Sequence, residues 1–133
     1  MPETTAAPVL FVVDDDRGML DFIVRVGRIS GYRAEAFESG EKLLAHLDEC
    51  PDVIVLDMTM PGLDGIQVIQ ALAARGYAGR LIIASGFFSD VVRAAEALAR
   101  GKKLNLVGTL AKPFVAAQLQ ELLAMPGPKI DAA

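Results

Sequence analysis

Pro51 to Gly65 reads PDVIVLDMTMPGLDG. It opens with an unbroken apolar run, Val53-Ile54-Val55-Leu56, rich in β-branched side chains and without polar alternation. Such a run suits a strand covered on both faces, as in a parallel sheet between helices. The run stops at Asp57, and Pro61-Gly62 followed by Asp64-Gly65 turns the chain into a loop. A carboxylate at the C-terminal tip of a central strand stands where open α/β sheets place their ligands. Taken alone, Asp57 could equally end a strand or cap a turn, so its meaning depends on the segments around it.

Working outward, Pro8 to Val13 (PVLFVV) is a second buried-strand run, closed by three acids, Asp14-Asp15-Asp16. Met19, Phe22, Ile23, Val26 and Ile29 then share one helical face, with Asp16 as N-cap and Gly31 as the stop. Tyr32 to Phe37 alternates in the manner of a strand nearer a sheet edge, and Ser39 caps a helix burying Leu43, Leu44 and Leu47. Beyond the central loop, Asp64 is placed as the cap of a helix with Ile66, Val68, Ile69 and Leu72 inward and Gly76 past its end. Leu81 to Ala84 is a buried strand running into Ser85-Gly86. Ser89 opens a helix with Val91, Val92, Ala95 and Leu98 inward. Leu104 to Leu110 holds the last strand, followed by Ala111-Lys112-Pro113-Phe114 and a helix using Val115, Leu119, Leu122 and Leu123. Strand and helix thus alternate five times. That pattern requires a parallel sheet with helices on both faces and right-handed crossovers.

The chain has 133 residues and a formal net charge of −4, so one domain spanning 8–124 is expected, with flexible termini at 1–7 and 125–133. Its apolar runs fall well short of the ~20 residues that cross a bilayer. The acidic balance argues against direct nucleic-acid binding by this domain. Cys50 is the single cysteine, which rules out an internal disulfide, and the start of the chain lacks the pattern of an export signal, so a cytoplasmic location is expected. With one Cys and one His, a zinc centre is not supported.

In a parallel sheet every C-terminal strand end lies on one edge, so Asp14, Asp15, Asp57, Ser85 and Lys112 should converge there. Singly, each has an ordinary reading as a cap, a turn residue or solvated surface. Together they make a charged pocket that needs a cation. Two carboxylates ~4 Å apart repel by roughly 4 kcal/mol at an effective dielectric near 20, so either a proton or a metal must be taken up. Hard oxygen donors without His or Cys suit Mg²⁺ or Mn²⁺. The divalent ion and the Lys112 ammonium together would match the three carboxylates. A carboxylate can act as a nucleophile towards phosphorus, and the remaining groups would each serve one phosphoryl oxygen.

The residue set Val13-Asp14-Asp15, Asp57-Met58-Thr59-Met60-Pro61-Gly62, Ser85-Gly86 and Lys112-Pro113-Phe114 resembles the receiver domain of two-component response regulators, over about Pro8 to Ala124. The resemblance implies a flavodoxin-like five-stranded parallel sheet of order 2-1-3-4-5. It also implies Asp57 as phosphoacceptor, with Mg²⁺ (or Mn²⁺) held by Asp14, Asp15, Asp57 and the Thr59 backbone carbonyl. Ser85, Gly86 and Lys112 would contact the phosphoryl group, and the Lys112-Pro113 bond would be cis. The implied partners are a sensor histidine kinase or a histidine phosphotransfer protein upstream, and an effector protein or fused output domain downstream. A homodimer could form through the output face, which in the family is the fourth helix, last strand and last helix.

The chain departs from the family at Thr109, where receivers carry an aromatic residue that swings inward on activation. Phe87 or Phe88 is expected to take part of that role, the alternative being that one packs inward and the other lies singly exposed. Two other readings stay open on the residues alone: an aspartyl-phosphate hydrolase turning over external phosphoesters, and a phosphorylation-independent docking module. A flavodoxin-like nucleotide binder is disfavoured because no glycine-rich loop follows the first strand.

Overall fold

The four apolar runs and the alternating stretch at Tyr32 to Phe37 each supply a strand, and each strand is followed by a helix. The computed structural model describes residues 7–58, 65–86 and 90–125. In chain order the elements are β1 (Val9–Val13), α1 (Arg17–Ile29), β2 (Arg33–Phe37), α2 (Gly40–Ala45), β3 (Val53–Asp57), α3 (Gly65–Ala74), β4 (Arg80–Ser85), α4 (Asp90–Gly101), β5 (Asn105–Ala111) and α5 (Ala116–Leu123). The helix read as reaching Leu47 ends at Ala45, and a short 3-10 turn, Leu47–Glu49, follows it. All neighbouring strands pair in parallel, in the order β2-β1-β3-β4-β5. The alternation implied the parallel sheet, and the resemblance implied this flavodoxin-like order.

The sheet separates two apolar layers. On one face, Phe11, Ile54, Leu56, Leu81 and Ile83 pack with Leu43 of α2, Val68, Ile69 and Leu72 of α3, and Ala95 and Ala99 of α4. On the other, Leu10, Val12, Val55 and Ile82 pack with Leu20, Ile23 and Val26 of α1 and Leu119 and Leu123 of α5. The central strands β1, β3 and β4 are buried on both sides, which is why they read as continuous apolar runs. β2 alternates because it is an edge.

The caps follow local chemistry. Asp16 accepts from the Gly18 N–H at 3.0 Å and Ser39 from the Lys42 N–H at 3.2 Å, each satisfying an amide that the first helical turn leaves without a partner. Gly31 and Gly76 adopt φ of 95° and 71°, a left-handed conformation that ends α1 and α3 at little cost only for glycine. At the far end of α5, Arg80 Nη1 donates to the Leu123 carbonyl at 3.0 Å and Tyr32 Oη donates to it at 2.6 Å. A cation and a phenol thus share a carbonyl that the helix terminus would otherwise leave open.

Three apolar side chains assigned inward face solvent instead: Ile29, Val91 and Val115. Ile29 is the last residue of α1, whose buried stripe is Leu20, Ile23, Val26 and Gly27. Val91 is displaced from the stripe of α4, which runs through Val92, Ala95 and Ala99. Val115 stands at the N-cap of α5, before the helical face begins, where its N–H donates to Gln118 Oε1 at 2.9 Å. Asp64 and Ser89, read as caps of α3 and α4, lie outside the described residues.

Candidate functional site

The C-terminal edge of the sheet collects side chains from four strand ends. Asp14 follows β1 directly, and its N–H donates to the Phe37 carbonyl at 3.2 Å, fastening the tip of β1 to β2. Its Oδ1 accepts from the Asp16 N–H at 2.9 Å, so the side chain is turned inward while Asp16 is occupied in capping α1. Asp57 is the last residue of β3, in register with Ala84 of β4. Ser85 ends β4 in register with Ala111 of β5, and the Ser85 carbonyl accepts from the Lys112 N–H at 2.7 Å. The Lys112-Pro113 peptide is cis.

These backbone restraints set the charges. Lys112 Nζ donates to Asp14 Oδ2 at 2.7 Å and stands 3.2 Å from Asp57 Oδ1. Asp14, Asp57 and Ser85 are nearly inaccessible, at 1 %, 1 % and 3 % relative exposure. Asp15 is exposed, yet one carboxylate oxygen from each of Asp14, Asp15 and Asp57 lies within 4.8 Å of the others. The pocket is therefore a buried acid pair neutralised on one side by an ammonium and flanked on the solvent side by a third acid.

The electrostatics follow from that layout. Burial raises the Asp14 carboxyl above the ordinary aspartate range, and the nearby Asp57 charge adds to this, against the lowering effect of the Lys112 and Asp16 hydrogen bonds. Burial opposes the Lys112 charge, but the Asp14 hydrogen bond and the two carboxylate charges outweigh it and hold the ammonium above the usual lysine range. A divalent cation fits the donor set: three carboxylates and one ammonium leave negative charge uncompensated, every donor is a hard oxygen, and one carboxylate opens to solvent.

A raised carboxyl has a consequence for stability. In the native state Asp14 binds a proton at a pH where the unfolded chain has released it, so the native-state penalty is complete above the raised value and vanishes as pH falls below 3.8. Asp14→Asn is therefore expected to stabilise the metal-free protein at pH 7, with the gain over the wild type shrinking as the pH is lowered. Urea denaturation in chelator across that range checks it. A variant less stable than the wild type at pH 7 would contradict this reading of the pocket.

The structure brings together Asp14, Asp15, Asp57 and Lys112, with Ser85 on the adjoining strand tip. Gly86 follows β4 and is exposed, and a Cβ there would meet no described atom within 4 Å. Thr109 lies three residues before Lys112 on β5, half-buried and facing α4, where its hydroxyl donates to Glu96 Oε2 at 2.6 Å. Glu96 was not singled out in the sequence, where nothing marks it from other exposed-face acids of a helix. Thr59, Phe87 and Phe88 lie outside the described residues.

Residues 10–124 match the response regulator receiver domain. The chain belongs to that family. The receiver is 36% identical over 120 residues to the transcriptional regulatory protein PrrA of Mycobacterium tuberculosis, covering 90% of this chain and 49% of that protein. It is 33% identical over 109 residues to the transcriptional regulatory protein FixJ of Bradyrhizobium diazoefficiens, covering 79% and 49%. The chain thus spans about half the length of these curated relatives. Among solved structures, a response regulator from Colwellia psychrerythraea superposes with a TM-score of 0.78 at 33% identity, covering 89% of this chain and 94% of that one. A chain of the CheX–CheY–BeF3–Mg complex from Borrelia burgdorferi superposes with a TM-score of 0.74 at 19% identity, covering 87% and 86%, a likeness of fold. The receiver is accordingly a signalling module of two-component systems. No helix among the described residues is long and apolar enough to cross a membrane.

Proposed function

We propose that Asp57 is the phosphoacceptor, with Asp14, Asp15 and Asp57 holding a Mg²⁺ ion. The observation that carries the proposal is the Lys112 ammonium set between two buried carboxylates, with a third carboxylate close by. Mg²⁺ in this site would neutralise charge on the phosphoryl oxygens. An oxygen of Asp57 attacks the phosphorus of a phosphohistidine on a sensor kinase or phosphotransfer protein. The P–N bond breaks, the imidazole leaves with a proton, and an acyl phosphate remains on Asp57. Lys112, already 3.2 Å from Asp57 Oδ1, meets a phosphoryl oxygen, and Ser85 donates its hydroxyl to another. Burial of Asp57 behind these groups limits access of water to the acyl phosphate.

The added charge and acceptor oxygens draw Ser85 and Lys112 towards Asp57, and their strands carry the change to the face formed by α4, β5 and α5. A downstream effector or an output domain, consistent with relatives twice this length, reads that face. The reaction takes place in the cytoplasm and turns over no external substrate. Incubation with acetyl phosphate and Mg²⁺ is expected to add one phosphoryl group per chain by intact mass, and chelator to prevent it. Sustained release of phosphate from a generic phosphoester would point to a hydrolase instead.

A further inference from the structure

We infer that the Thr109–Glu96 hydrogen bond is a tie belonging to the unphosphorylated state, which opposes the rearrangement that follows phosphorylation; this rests on the reading of Asp57 above. The two elements it joins are the two that lead out of the pocket. β4 ends in Ser85 and continues into α4, while β5 runs directly into Lys112. Thr109 stands three residues before Lys112, about 10 Å along the strand. Whatever moves Ser85 and Lys112 towards a phosphoryl group moves the supports of α4 and β5.

The tie is short and partly shielded from solvent. A hydroxyl donating to a carboxylate at 2.6 Å is in the short range of charge-assisted bonds, and both residues are half-buried. The buried stripe of α4 is Val92, Ala95 and Ala99, with Val91 facing solvent. Two alanines and one valine bury little apolar surface compared with the Leu and Ile stripe of α1. Leu98 packs at the margin of the same layer, and the Thr109–Glu96 bond adds a polar contact that joins α4 to β5.

Backbone geometry places Thr109 for the purpose. The β4–β5 register slips between Leu81 and Ile82, so that Leu81 pairs with Leu106 and Ile82 with Gly108, leaving Val107 as an extra residue. A one-residue insertion reverses which face each later side chain takes. Val107 and Gly108 therefore take the same side: Val107 packs with the α1–α5 layer, and a Cβ on Gly108 would stand 2.8 Å from Leu122 Cδ2 of α5. Thr109 is turned to α4, where Glu96 receives it. A contact that favours one arrangement shifts the equilibrium only through its differential presence. A 2.6 Å bond between two separately carried elements is lost with a small relative displacement.

The test uses beryllofluoride, an acyl-phosphate mimic, with Mg²⁺ on the intact chain. Thr109→Val, which keeps shape and removes the donor, is expected to bind beryllofluoride about ten-fold more tightly, the loss of one hydrogen bond to a charged group. Glu96→Ala should do the same, the double variant no more than either single one, and Thr109→Ser should bind as the wild type does. In the ligand-free Thr109→Val protein, α4 amide resonances should shift towards their positions in the beryllofluoride-bound wild type. Unchanged or weaker binding by Thr109→Val, with α4 resonances unmoved, would overturn the tie. A wild-type protein that binds no beryllofluoride would overturn the Asp57 reading, and the tie with it.

Discussion

Replacing Lys112 with alanine is expected to lower the unfolding free energy in chelator by about 3–5 kcal/mol. The ammonium is the one cation in contact with both Asp14 and Asp57 among the described residues, at 2.7 and 3.2 Å. Both carboxylates are buried to 1 % exposure and cannot turn to water without unpicking the strand tips. Removing the lysine leaves two uncompensated acids, a situation several times costlier than losing an exposed ion pair. The same variant should regain more stability from saturating Mg²⁺ than the wild type does, because the cation takes over the neutralising role and binding to the native state alone stabilises by mass action. Denaturant titrations with chelator and with Mg²⁺ read both effects. Equal stability of variant and wild type in chelator would mean that the ammonium is not holding the acid pair.

Asp57→Asn is expected to abolish phosphoryl uptake altogether while leaving the fold intact. The amide keeps the size of the side chain and fits the same strand end, but its oxygen is a poor nucleophile and forms no acyl phosphate. Asp14 and Asp15 remain in this variant, close to where the donor must enter. Uptake undiminished from the wild type would therefore show that one of them, and not Asp57, receives the phosphoryl group. The intact mass after acetyl phosphate treatment decides between the two, with circular dichroism as the check on folding.

Much of this arrangement was legible in the chain before any coordinates. β1, β3 and β4 carry apolar residues at consecutive positions because both of their faces are covered, and that continuity announces a parallel sheet. Once the sheet is parallel, the convergence of Asp14, Asp15, Asp57, Ser85 and Lys112 on one edge follows from connectivity. Helix faces were less legible at their ends. Ile29 and Val115 match the apolar spacing but stand at the last turn and the N-cap, where the chain is no longer pressed on the sheet. On α4 the stripe is one residue away from Val91 because alanines, not the larger side chains, meet the sheet. The Thr109–Glu96 contact had no signal of its own. It joins residues on different elements and depends on the bulge at Val107, which decides the face that Thr109 takes.

The central claim is that folding gathers these acids and one ammonium so that a single side chain accepts phosphorus with a divalent cation in place. Borohydride reduces an acyl phosphate to an alcohol, marking the acceptor permanently. Protein treated with acetyl phosphate, reduced and digested should yield homoserine in place of Asp57, with Mg²⁺ required and chelator preventing it. Reduction at another aspartate, or equal labelling in chelator, would contradict the account.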